Sequence, residues 1–405
     1  MPIGYSRLPE LLPVAGIRLA ATAAGIRYQD RNDLVVMELA GGSRCTAVFT
    51  RNAFCAAPVQ VAREHLAADA PRYLLINSGN ANAGTGVPGL EAARRSCAAL
   101  AAVSDCDATQ VLPFSTGVIG EVLPVERIET ALLVALGALD ENHWALAANA
   151  IMTTDTVAKG ISITLQLDGQ PVTLTGIAKG SGMIRPDMAT MLAYVATDAC
   201  VEGDALQDCL RVAVDASFNR ITVDGDTSTN DACVLIATGR AGNRPVNRSH
   251  PEYAAFADAV KSVCERLAQL IVRDGEGATK YVTVSVSGGR DSDECLQVAY
   301  TVAHSPLVKT ALFACDPNWG RILAAVGRAG VDALDVDLID IYLDDVCIVR
   351  AGGADAAYTE AEGQRVMAQE EILIDIRLGR GEFCERVWTT DLSHEYVRIN
   401  AEYRS

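Results

Sequence analysis

The stretch Ala178–Ala199, AKGSGMIRPDMATMLAYVATDA, decides how this chain folds. A lysine sits in a glycine cluster, a proline turn follows, and from Thr190 the chain enters an apolar run. Met191–Ala196 contains one tyrosine and no charge, so it reads as a strand buried on both faces rather than as a half-exposed one. The segment before it, Ile161–Gly180, alternates apolar residues at Ile161, Ile163, Leu165 and Leu167. It turns at Asp168-Gly169 and resumes with Val172 and Leu174, the pattern of a β-hairpin. A hairpin feeding a buried strand predicts a largely antiparallel sheet with helices over it. Thr190 puts a nucleophilic hydroxyl at the entrance of that core, and locally it fits an ordinary β-branched strand residue as well as a reactive one.

The rest of the chain fits an α/β architecture. Leu90, Ala93, Cys97 and Leu100 recur at helical spacing, as do Val125, Ile128, Leu132 and Leu136 after Pro124. The longest amphipathic stretch is YAAFADAVKSVCERLAQLIV, with Phe256, Val260, Val263, Leu267 and Leu270 on one stripe. Gly203–Phe218 reads as a helix and Asn230–Gly239 as a buried strand. The C-terminal third adds strands at YVTVSVSG and EILIDIRLG, with a helix between them opened by Ser305 as cap and Pro306 in the first turn. Antiparallel sheets covered by helices are therefore expected.

At 405 residues with half of them hydrophobic, the chain can bury a substantial core, in two domains or one large layered domain with an appendage. A net charge of −17 argues against nucleic-acid partners, which need a basic face. Pro9, Pro13 and Arg18 interrupt the N-terminal apolar residues, so no signal peptide is read there, and no apolar run has membrane-spanning length. Twelve scattered cysteines form no CxxC pair and stand in no histidine cluster, which gives neither a disulfide framework nor a metal site. A soluble, cytoplasmic protein is the expectation.

His65, His143, His250, His304 and His394 lie in no HExxH or nucleophile-elbow context, and no GxSxG occurs. DGEGATK, 274–280, lacks the full phosphate-loop pattern. Nucleophiles that work without histidine remain. One is a threonine whose own α-amine serves as base, which requires that threonine to become an N-terminus. An α-amine has a pKa of about 7.7–8.0, so it accepts a proton near neutrality. Attack of the Thr190 Oγ on the Ala189 carbonyl would release it: an N→O acyl shift gives an ester, and water completes the break.

KGSGMIRPDMATMLAYVATDA resembles the signature of the ornithine acetyltransferase family, the bifunctional glutamate N-acetyltransferases of arginine biosynthesis, whose chains cleave themselves at Ala-Thr. TAVFTRNAFCAAPV, LLINSGNANAGTG, PFSTGVIGE, AIMTTDT, SFNRITVDGDTSTND, DGEGATK, DPNWGRILAAVGRAG and DLSHEYVRINAEYRS resemble further family blocks, in family order. One departure is Asp187, where the family pattern leads us to expect Asn. The resemblance implies cleavage between Ala189 and Thr190, with Thr190 as the acetyl-accepting nucleophile and its freed amine as base. It implies an oxyanion hole from the Thr116 hydroxyl and the Gly117 N–H, and substrate contacts from Thr153, Lys179, Thr190, Glu276, Asn400 and Ser405.

The implied reaction moves the acetyl group of N²-acetylornithine to glutamate through an acetyl-threonine, with no metal and no organic cofactor. Bifunctional members also take acetyl-CoA as co-substrate, and the motifs are common to both types. The implied products of cleavage are an α chain of residues 1–189 and a β chain of 190–405, assembled as an α2β2 heterotetramer. The implied fold is a self-processing Thr-nucleophile α/β/β/α sandwich of mainly antiparallel sheets, with a smaller C-terminal α/β unit from about residue 280. Two rivals stand beside it: a self-processing amidase or aminopeptidase of related architecture, and an inactive homologue that only binds amino acids.

Overall fold

The computed structural model of the chain describes residues 2–185 and 191–402. It divides into a larger unit, Arg7–Asn219 with Asp226–Ile271, and a smaller one built from Val272 onward with Arg220–Gly225 and the chain up to Ser6.

In the larger unit the elements run β1 (Ile17–Thr22), β2 (Leu34–Leu39), β3 (Arg44–Phe49), α1 (Ala57–Ala68), β4 (Tyr73–Asn80), α2 (Gly86–Ser104), β5 (Val111–Val118), α3 (Val125–Gly137) and α4 (Trp144–Ala150). They continue with β6 (Lys159–Leu167), β7 (Gln170–Lys179), β8 (Leu192–Thr197), α5 (Gly203–Asp215), β9 (Ala232–Ala237) and α6 (Tyr253–Arg273). One sheet has the order β1-β2-β4-β5 and a second the order β3-β9-β8-β7-β6. Only β4/β5 and β8/β9 pair in parallel; the other neighbours are antiparallel.

The two sheets face each other. Leu19, Met37, Ile76, Leu112 and Phe114 of the first share one apolar cluster with Ile177, Leu192, Tyr194, Val234 and Ile236 of the second. The Phe114 and Tyr194 rings meet edge to face with centroids 5.3 Å apart. The other face of the first sheet, through Leu34, Val36, Leu75 and Val111, packs on α1, α2 and α3. The second sheet lies under α6: a Cβ on Gly176 of β7 would come within 2.9 Å of Val263 and 3.0 Å of Leu267. Four layers, α/β/β/α, result. Every residue of β8 and β9 is buried because both faces are covered, which is why neither sequence alternates.

The β6/β7 hairpin turns at Asp168 and Gly169, with φ of 51° and 74°, the backbone that an Asp-Gly pair tolerates. One stripe residue differs from expectation. On α6, Phe256, Val260, Val263 and Leu267 are fully buried, but the next inward position is Ile271 and Leu270 is half-buried. Four residues past Leu267 continues a 3.6-residue period better than three does at this point.

The smaller unit contains β10 (Tyr281–Gly289), α7 (Ser292–Ala303), α8 (Pro306–Phe313), α9 (Trp319–Gly327), β11 (Asp340–Leu343), β12 (Val346–Arg350), β13 (Gly353–Ala354), α10 (Glu360–Met367), β14 (Glu371–Arg377), β15 (Phe383–Thr390) and α11 (His394–Glu402). Its sheet has the order β13-β12-β11-β14-β10-β15, with only β10/β14 parallel. Val298, Val302, Leu312 and Ile322 from α7, α8 and α9 pack on Val282, Val284 and Ile374 of that sheet. Ser305 accepts the Val308 N–H and Pro306 opens α8, as the sequence predicts. Among the described residues, no helix is long and apolar enough to cross a membrane.

Candidate functional site

The ends of β5 and β7 meet in the cleft between the two facing sheets. On β5, Leu112 and Phe114 point toward the second sheet, and the period of two carries Thr116 to the same side. On β7, Ile177 points back toward the first sheet, and two residues later so does Lys179. The two side chains meet: Lys179 Nζ donates to Thr116 Oγ1 at 3.1 Å and to Thr153 Oγ1 at 2.8 Å. Three of the residues expected from sequence are thereby joined by one ammonium group.

Gly117 follows Thr116 with a φ of +136°, and a Cβ there would lie 2.2 Å from the Gly79 carbonyl carbon. The register pairs Gly79 with Gly117 and then slips at Asn80, which bends the end of the parallel pair. Only glycine fits both the space and the backbone. Asn230 braces the same place, donating from Nδ2 to the Ala81 carbonyl at 2.6 Å and the Ser115 carbonyl at 2.9 Å.

Beneath Thr153 and Lys179 lies a fully buried ion pair that the sequence reading did not assign. Lys159 Nζ donates to Asp155 Oδ1 at 2.6 Å, and both side chains have no exposed surface. The Asp155 carboxylate also accepts the Gly180 N–H at 2.7 Å on Oδ1 and the Thr153 N–H at 3.0 Å on Oδ2. It therefore ties the backbone beside Lys179 to that of Thr153. Burial by itself would push the Asp155 carboxyl up, but the Lys159 and Lys179 charges and the Gly180 N–H hold it well below the usual carboxylate range. A spacing of four between Asp155 and Lys159 is the one signal in the sequence, and it is equally common on exposed helices.

Asp231, at the start of β9, is the second residue missed. It is 3% exposed, and its Oδ2 has no hydrogen-bond partner among the described residues. Burial pushes its carboxyl well above the usual range, against the opposing pull of a Ser228 hydrogen bond and the Lys179 charge.

In the smaller unit, Asn400 on α11 donates from Nδ2 to Glu276 Oε2 at 2.8 Å, across 124 positions of sequence. Gly277, with a φ of +66°, lets its turn press on α11: a Cβ there would lie 2.4 Å from the Tyr396 nitrogen. Ser393 Oγ donates to the Gly277 carbonyl at 2.6 Å. The expected residues thus fall into two groups, Thr116, Gly117, Thr153 and Lys179 in the larger unit, and Glu276 and Asn400 in the smaller. Ala189, Thr190 and Ser405 lie outside the described residues, as does Asp187.

Among the described residues, the group spaced like metal ligands is Asp168, His250 and Glu252, with ligand atoms within 4.8 Å of one another. Arg244 already bonds Asp168, through Nε at 3.1 Å, and that hydrogen bond holds the carboxyl down at about 2. The trio is an ion-paired cluster at the β6/β7 turn.

A family model described as the ArgJ family matches residues 18–405. The chain is 61% identical over 406 residues to the "arginine biosynthesis bifunctional protein ArgJ" of Pseudomonas fluorescens (strain Pf0-1), covering 100% of both chains. It is 59% identical, again over 100% of both, to the protein of that name from Pseudomonas syringae pv. tomato (strain ATCC BAA-871 / DC3000). A solved structure of the Bacillus halodurans arginine biosynthesis bifunctional protein argJ is similar at 39% identity and a TM-score of 0.49, over 51% of this chain and 97% of that one.

Proposed function

The chain belongs to the ArgJ family and is an enzyme of arginine biosynthesis, and from that premise we propose a self-cleaving acetyltransferase with Thr190 as its nucleophile. The observation that carries this reading is the Lys179 ammonium bonded to the Thr116 and Thr153 hydroxyls. It gathers an oxyanion-hole side chain and two substrate-binding groups at the mouth of the inter-sheet cleft. Thr190 stands two residues before Leu192, the first residue of β8 to face that cleft.

Cleavage after Ala189 frees the Thr190 amine. That amine takes the Oγ proton as Oγ attacks the acetyl carbonyl of N²-acetylornithine. The Thr116 hydroxyl and the Gly117 N–H stabilise the negative charge that develops on the carbonyl oxygen. The C–N bond breaks, the proton passes to the leaving nitrogen, and ornithine departs. Glutamate then attacks the acetyl ester and restores the Thr190 hydroxyl.

Lys179 suits the α-carboxylate of either substrate, since a charge-assisted hydrogen bond is the strongest contact available for it. Glu276, steadied by Asn400, suits the terminal ammonium of ornithine, and Ser405 completes the substrate contacts. The acetyl group moves between substrates without cofactor or metal, and acetyl-CoA serves as a second donor. We place the enzyme in the cytoplasm, as an α2β2 assembly of residues 1–189 and 190–405.

Incubation with N²-acetylornithine and glutamate tests the reading. Acetyl transfer to glutamate should outpace release of free acetate. Acetate release that ignores glutamate would instead indicate an amidase. Intact mass should show two chains, separated between residues 189 and 190, and Thr190→Ala should leave one uncut, inactive chain.

A further inference from the structure

Asp231 carries a buried carboxyl oxygen with no hydrogen-bond partner among the described residues, at a position opposite Met191 in the sheet. β9 lies between β3 and β8, and Asp231 immediately precedes its first residue. The Asp231 carbonyl accepts the Thr50 N–H at 3.0 Å, and the adjoining Ala232 N–H donates to the Met191 carbonyl at 3.0 Å. Leu192 pairs with Ala232, so the parallel register runs back through Met191 opposite Asp231. Met191 is the covalent neighbour of Thr190.

A buried carboxyl is normally satisfied on both oxygens or replaced by an apolar group. This one is not: Oδ2 is buried without a partner among the described residues. Ser228 hydrogen-bonds the carboxyl, Lys179 is the cation that acts on it, and Cys55 is a thiol that feels its charge. Burial outweighs the Ser228 hydrogen bond and the Lys179 charge and raises the carboxyl well above the usual carboxylate range.

Resting on Thr190 as the nucleophile, we infer that Asp231 is the acid that protonates the departing Thr190 nitrogen during self-cleavage. Thr190 Oγ–H adds to the Ala189 carbonyl, and the C–N bond breaks while the C–O bond remains. The nitrogen must gain one proton as Oγ loses one. The Asp231 carboxyl gives its proton to the nitrogen and recovers the one from Oγ, so it ends as it began. Water then hydrolyses the ester, leaving a carboxylic acid on Ala189 and the hydroxyl on Thr190.

The test follows the intact mass of the full-length chain with time after a pulse of synthesis, for wild type, Asp231→Asn, Asp231→Glu and Thr190→Ala. Asparagine keeps the shape and neutrality of the protonated acid and has no acidic proton. Self-cleavage of Asp231→Asn should slow by about tenfold or more, within the range a positioned acid contributes, at a Tm near wild type. Should the asparagine variant be destabilised, Asp231→Glu decides: it keeps the acid, and cleavage that recovers supports the inference. A slowing of less than about tenfold, or a slowing with lost Tm that glutamate shares, overturns it. Cleavage of Thr190→Ala after Ala189, or none in wild type, overturns the nucleophile assignment itself and this inference with it.

Discussion

Lys179 Nζ and Thr116 Oγ1 stand 3.1 Å apart although they belong to different sheets, and Thr153 shares the same ammonium at 2.8 Å. One cation thereby sets the position of the Thr116 hydroxyl, proposed for the oxyanion hole, relative to that of Thr153, proposed for substrate binding. The contact makes Thr116, Thr153 and Lys179 of the larger unit a single hydrogen-bonded cluster.

Thr116→Val removes that hydroxyl and keeps the side chain's volume and branching. Loss of one oxyanion-hole donor costs on the order of 10²- to 10³-fold in kcat. Steady-state kinetics with N²-acetylornithine should show that drop with little change in KM, and Thr116→Ser should recover most of it. A kcat within a few-fold of wild type in Thr116→Val would remove this residue from the oxyanion hole.

Lys179→Met keeps the aliphatic stem and deletes the charge. A hydrogen bond to a charged group contributes about 1.5–3 kcal/mol, roughly a ten- to hundredfold effect. We expect KM for the acetylated donor and for glutamate to rise together by that factor, since both present an α-carboxylate. Equal KM values would show that another group holds it.

Asp155→Asn leaves the Lys159 ammonium buried without its counter-charge. Breaking one side of a buried pair costs about 3–5 kcal/mol, measurable as a lower denaturation midpoint at pH 7. The pH dependence has a definite sign. The folded state holds the Asp155 carboxyl below its ordinary value, so it contributes stability that is complete above about pH 4 and is lost as the pH falls further. The acid-side loss of stability should be shallower in Asp155→Asn than in wild type.

Gly117→Ala places a methyl group 2.2 Å from the Gly79 carbonyl carbon at a φ of +136°. The atoms that methyl meets, Gly79 C and O and Asn80 N, are all backbone, so no side chain can yield. Strain and overpacking together predict a loss of about 2–6 kcal/mol. Expression as soluble protein with an unchanged Tm would contradict the geometry at this strand end.

The local elements were legible because each reports its own surroundings. The Asp168-Gly169 turn and the alternating residues beside it form the β6/β7 hairpin, and the charge-free run after Met191 forms a strand covered on both faces. The pairing of Glu276 with Asn400 was not readable from spacing; without the family resemblance both would pass for a surface turn and an exposed helix residue. Lys159 would pass for a solvated cation, yet it is completely buried on Asp155. Asp231 looks like any acidic turn residue before a strand, and what sets it apart is a buried Oδ2 without a partner among the described residues.

Sequence by itself determined the periods: where the backbone turns, which stripe of α6 is apolar, and which strands must lie inside. Those are short-range properties, set by side chains a few residues apart. Tertiary structure alone decided which ends meet, because the order β3-β9-β8-β7-β6 and the stacking of two sheets join residues separated by tens of positions. Desolvation follows from that stacking and pushes both Asp155 and Asp231 toward the protonated form; the Lys159 and Lys179 charges and the Gly180 N–H reverse it at Asp155, whereas at Asp231 burial prevails.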